Sequence, residues 1–159
     1  MKCASCGKKI SEHQTDVGFQ LPDVVWQLSE PERTERAKFN NDLCQLDDER
    51  YFIRCIALIP MKARSDSFAW GFWAEVSKGD FFHYMDIYEK DATTEPAIVG
   101  TIANSPRSYP RLEGYKVDIQ YGLPTQRPFL KLHPSDHPLY YEQQEGISDD
   151  RLHEILINK

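Results

Sequence analysis

The motifs that would name a chemistry outright are missing from this chain. It contains no glycine-rich phosphate loop, no Gly-x-Ser-x-Gly elbow and no His-Glu-x-x-His pair, so the signatures of phosphate-loop nucleotide hydrolysis, elbow-type serine hydrolases and zinc peptidases are all absent. No apolar run approaches the roughly 20 residues that a membrane-spanning helix needs. Positive charge is in deficit, with 19 Lys and Arg against 25 Asp and Glu and a formal net charge of -6. That balance argues against a nucleic-acid surface that works by neutralising phosphates. Met1-Lys2-Cys3 leads into polar residues rather than the apolar segment of a signal peptide, so the expected setting is the cytoplasm, with cysteines reduced.

What is present suffices for one good core. With 40% hydrophobic and 12% aromatic residues in 159, the expectation is a single domain over 1–159, with 1–13 as a metal-knuckle-like segment at its start. Cys3-Ala-Ser-Cys6-Gly7 carries that expectation. Two Cys separated by two residues can turn both sulfurs toward one tetrahedral zinc, and the following Gly relieves the turn by permitting a positive φ. The same spacing serves thiol redox chemistry, but that use expects a preceding strand, and none fits before Cys3; inert reduced thiols are the third reading. Structural zinc needs four ligands, and Cys44 ranks first for the third, ahead of Cys55. The latter shares a strand face with Ile53 and Ala57 and reads as a small packing hydrophobe. His133 and His137 have a finger-like separation, but Pro134 and Pro138 make that segment a loop and a helix start.

Hydrophobic periodicity outlines the elements. Ser29-Glu30-Pro31-Glu32 is a helix entry, predicting a charged surface helix to about Leu43 anchored by Ala37, Phe39 and Leu43. Asp47-Asp48-Glu49 is a turn, more simply solvated than cation-binding. Strands are predicted over 51–59 and 68–76, the latter with Trp70, Phe72 and Ala74 on one face, and its tryptophans read as core before ligand cleft. A helix over 81–88, strands over 97–103, 115–121 and 127–132, a helix entered at His137 and ended by Gly146, and a last helix over 149–157 complete the chain. The sum is an α+β fold: an antiparallel sheet of about five strands with helices mostly on one face and a zinc-knuckle-like turn at the N-terminus.

Cys3-Ala-Ser-Cys6-Gly7-Lys8, Asp42-Leu43-Cys44, Tyr51-Phe52-Ile53-Arg54, Phe68 through Trp73, and Asp136-His137-Pro138-Leu139 with Glu142-Gln143 and Gly146-Ile147 together resemble a bacterial family catalogued as domain of unknown function 2199. The resemblance covers nearly the whole chain and implies no activity. It implies a cysteine matching Cys44 as partner of the knuckle, and a His soon after the second Cys where this chain has Ile10, so that His13 or another group would have to substitute. Two function classes follow. The first is a binding or protein-interaction module with structural zinc, whose exposed aromatics meet a protein partner or a second copy of the chain. The alternative is a small hydrolase-like enzyme using His137 or His83 with acids, or an open metal. Arg54, a cation inside an apolar strand, is a candidate for anion binding unless an acid pairs with it.

Overall fold

The computed structural model describes residues 15–158. Its spine is β4 (Arg50–Pro60) and β5 (Ser67–Val76), the strands expected over 51–59 and 68–76, which pair antiparallel from Tyr51 opposite Val76 to Pro60 opposite Ser67. From β5 the chain continues through α3 (Lys78–Ile87), capped by Ser77 accepting from the Asp80 amide, into β6 (Ile98–Ile102), β7 (Lys116–Gln120) and β8 (Phe129–Leu132). Each of these strands pairs antiparallel with the one before. β8 then lies parallel to β4, through Ile56 opposite Phe129 and the Ile56 amide donating to the Pro128 carbonyl.

That last pairing overturns the antiparallel sheet expected from the sequence. Strands β4 to β8 close into a five-stranded mixed barrel, and β1 (Asp16–Gly18), β2 (Ala37–Phe39) and β3 (Leu43–Leu46) extend it to eight strands among the described residues. β1 is also parallel, running beside β5 where Gly18 and Gly71 face each other; a Cβ on Gly71 would stand 3.1 Å from the Gly18 Cα. The fold is α+β, as expected, with its strands wrapped around a core.

Closure explains the burial pattern. Ile53, Cys55, Ala57 and Ile59 of β4 alternate inward with Phe68, Trp70, Phe72 and Ala74 of β5, each large side chain contributing about 1.5–3 kcal/mol by leaving water. Cys55 is therefore a packing residue, and both strand tryptophans are fully buried. Phe52 and Trp73 point the other way, into a second apolar cluster on the barrel's outside that also holds Leu21, Val25, Leu46 and Cys44.

The predicted helix to Leu43 is corrected. α2 (Glu30–Arg36) does start at Ser29, whose hydroxyl accepts from the Glu32 amide, but it ends at Arg36 and gives way to the β2–β3 hairpin. The Asn40 side chain closes the hairpin by accepting from the amides of Asp42 and Leu43, both at 2.8 Å, so an Asx turn replaces a last helical turn. Phe39, expected as a helix anchor, is half exposed at the hairpin tip. The acidic turn that follows is tied down by Arg36, which donates to both Asp47 oxygens.

Two helices end the chain, and the first of them packs on the barrel's seam between β4 and β8. α4 (Pro138–Glu145) is entered at His137 and ended at Gly146, and α5 (Asp149–Ile157) buries Leu152 and Ile155. Gln143 of α4 acts as a stand-in strand for β8: its Oε1 accepts from the Leu132 amide at 2.9 Å and its Nε2 donates to the Leu130 carbonyl at 3.1 Å. Gln143→Ala leaves both backbone groups without these partners, and chemical denaturation should show a loss of about 1–3 kcal/mol.

Candidate functional site

The residues between β1 and β3 build the most chemically distinctive surface. Pro22 precedes α1 (Asp23–Trp26), a single turn that lands on the barrel because the Asp23 amide donates to the Ala103 carbonyl and its carboxylate accepts from Asn104 and from the Ser105 amide. Asn104, fully buried, is the hub: its Oδ1 accepts from the Trp73 amide at 2.8 Å, and its Nδ2 donates to the Leu21 carbonyl and to Asp23. Val25 faces inward and Trp26 outward, 57% exposed. Arg33 of α2 reaches back to the open end of α1, donating to the carbonyls of Val25, Trp26 and Leu28, and its guanidinium lies 5.2 Å from the Trp26 ring centre.

Opposite stands Arg54, on the outward face of β4. Its guanidinium lies 5.9 Å from the Trp73 ring centre, and its Nη1 donates to the Asn41 carbonyl at 3.2 Å. Its Nε is buried without a hydrogen-bond acceptor, and no carboxylate among the described residues reaches it at ion-pair distance. The nearby acid, Asp42, is already held by Arg127 at 2.9 Å. Burial first, and then the like charge of Arg127, lower the Arg54 pKa, against the opposing pull of Asp42. Gln20, Trp26, Arg33, Phe39, Asn41 and Arg54 line the resulting cleft of about 600 Å³, within the range of small-ligand sites. Arg33 also makes no carboxylate ion pair among the described residues, whereas Arg36, Arg50, Arg64, Arg111, Arg127 and Arg151 all do. In a chain of net charge -6, two arginines in one cleft with no ion-paired carboxylate among the described residues stand out.

A second groove of about 460 Å³ lies outside the β4–β8 seam, among Leu58, Phe129, Asp118, Lys131 and Gln143. Its charges answer one another: Asp118 stands opposite Lys131 in the ladder and meets His133 at 2.8 Å. The arginine cleft is the better candidate because neither of its arginines is ion-paired to a carboxylate among the described residues.

The histidines expected as catalytic candidates are engaged elsewhere. His137 is buried, accepts from the Leu139 amide through Nδ1 and donates through Nε2 to the Pro110 carbonyl, so it caps α4 as a neutral ring. His83 meets Glu95 at 3.1 Å on the surface. The two have different neighbours, His83 lying beside Tyr121 and His137 between Tyr109 and Tyr115. Near α4, Glu142 takes hydrogen bonds from Tyr109 and Arg151 and ties the helices to the barrel, a structural knot that sequence reading had not found.

Of the expected zinc ligands, Cys3 and Cys6 lie outside the described residues. Cys44 lies on β3, fully buried, and burial pushes its thiol pKa up to about 12. Among the described residues no group of three or more Cys, His, Asp or Glu is arranged to hold a metal, and no helix is long and apolar enough to cross a membrane.

A family model described as an uncharacterized protein conserved in bacteria (DUF2199) matches residues 2–147. No curated protein and no solved structure matches the chain.

Proposed function

We propose, for a chain that belongs to this uncharacterised bacterial family, DUF2199, that it is a binding module whose recognition surface is the cleft between α1 and the β2–β3 hairpin. The observation that carries the reading is the pairing of two exposed aromatics, Trp26 and Phe39, with two arginines that have no carboxylate partner among the described residues. Exposed aromatic rings beside arginine are the residue types that dominate recognition energetics, because they bury much area for little conformational entropy. Chemical-shift mapping of the labelled protein with a panel of aromatic fragments tests it. Perturbations should concentrate at the Trp26 indole and Phe39; perturbations confined to the β4–β8 groove would reject the cleft.

A structural zinc at Cys3 and Cys6 belongs to the same proposal and rests on their spacing. Cys44 as third ligand is supported by the family resemblance, while its apolar enclosure beside Leu21, Val25 and Trp73 fits packing. Metal analysis of protein purified without chelator separates the two roles. Zinc lost in both Cys3→Ser and Cys44→Ser supports a shared site, whereas zinc lost only in Cys3→Ser assigns Cys44 to the core.

A further inference from the structure

Resting on the reading of this cleft as a recognition surface, we infer that its ligand is an oxyanion borne on a planar ring, a phosphate monoester or a carboxylate, with the anion forked on Arg54 and the ring against Trp26.

A guanidinium half withdrawn from water is costly unless a charge or a full set of acceptors answers it. Among the described residues Arg54 has one carbonyl, from Asn41, an aromatic face, from Trp73, and a buried Nε with no acceptor. The aromatic face and the carbonyl hold the group in place, and with Nε buried its Nη groups are the donors left for a ligand. Two donors directed in parallel match the paired oxygens of a carboxylate or phosphate, a geometry that an ammonium cannot offer.

Arg33 adds to the field without competing for the same role. Its three carbonyl bonds fix it as a cap on α1, so its charge is presented to the cleft from an immobile frame. Preorganised charge of this kind favours an anion without the entropy cost of gathering flexible side chains. Asp23, which also lines a depression beside the cleft, holds its carboxylate on Asn104 and the Ser105 amide. Asp42, on the hairpin side, is spent on Arg127. Neither opposes an incoming anion as a free carboxylate.

The ring follows from the cleft's other wall. Trp26 and Phe39 are 57% and 50% exposed, and Arg33 lies beside the Trp26 indole. Trp26 and Arg54 line the same cleft, so a planar ring stacked on that indole directs its anion toward Arg54. An adjoining depression of about 410 Å³, which shares Gln20, Leu21 and Trp26, gives the ring's substituents room.

Trp70 and Trp73 are fully buried and Trp26 is not, so a ligand-induced change in tryptophan emission reports on this site. Phenyl phosphate, benzoate, inorganic phosphate and phenol are titrated by emission and by calorimetry. The expected result is saturable 1:1 binding of phenyl phosphate or benzoate, the tighter of the two identifying the anion, with phenol at least about tenfold weaker. Arg54→Gln should weaken that binding at least about tenfold, and Arg54→Lys should fail to restore it although the charge is kept. Arg107→Gln, a change at an arginine outside the cleft, should leave it unaltered. Trp26→Ala should weaken phenyl phosphate several-fold and leave inorganic phosphate unchanged. Unaltered thermal unfolding of the Arg54 variants shows that lost binding is not lost folding. Phenol binding as tightly as phenyl phosphate, with Arg54→Gln indifferent, overturns the oxyanion and leaves the cleft a recognition surface. Silence of Trp26 toward all four probes overturns both.

Discussion

Asn104→Ala is expected to remove about 3–5 kcal/mol from the stability of this protein. The side chain is fully buried and makes three hydrogen bonds, to the Trp73 amide, the Leu21 carbonyl and the Asp23 carboxylate. Truncation leaves two buried backbone groups without those partners and opens a void between the barrel and α1. The loss should show in urea unfolding as a lower midpoint with little change in slope. Because Asn104 positions α1, the variant should also expose the second apolar cluster. Slower than native quenching of Trp26 by acrylamide would contradict that, since a loosened α1 makes this residue more accessible.

Gly146→Ala is expected to cost about 2–4 kcal/mol, from two sources acting on one atom. Gly146 has φ 88° and ψ 176°, a region that residues with a Cβ avoid. A Cβ built there would also stand 2.7 Å from the Pro60 carbonyl oxygen. That oxygen accepts from the Ile147 amide, and Ile147 in turn accepts from the Lys62 amide, so the strain lands on the junction of β4 with the α4–α5 connection. Differential scanning calorimetry should record a clear fall in Tm, while Gly114→Ala, at φ 95° but with open space around the new methyl, should cost less.

The long elements were legible because they carry the hydrophobic pattern themselves. Tyr51 to Ile59, Phe68 to Val76 and the Leu152, Ile155, Leu156 stripe announce their states without help from neighbours. Between Asp16 and Leu46 only the helix entry at Ser29 was legible, since three- and four-residue strands are too short to display a period. The decisive signal there was Asn40, whose side chain offers the backbone an Asx turn, and it sat inside what read as a charged helix. Barrel closure was hidden for a related reason. Alternation states which face of a strand is buried but not which strand lies beside it, and the β4–β8 seam depends on one ladder pair and on the Gln143 amide.

The site divides in the same way. Arg54 was visible as a cation in an apolar strand, and its lack of a carboxylate among the described residues supplies the condition under which anion binding had been expected. Trp26 belongs to none of the elements predicted from the sequence, and Arg33 falls within the predicted charged surface helix. Their meeting depends on a one-turn helix folding back against α2, which no local spacing encodes. Phe39 was misplaced because its helix was. His137 entered as both a cap and a ligand candidate, and the cap is the role its two hydrogen bonds describe.

The most direct measurement is the arginine Nε–H spectrum of the full chain, labelled with nitrogen-15 in arginine, during titration with phenyl phosphate. The account predicts that the Arg54 resonance moves to saturation while that of Arg107 stays still. Equal drift of both, or an Arg54 signal indifferent to the titrant, would contradict it.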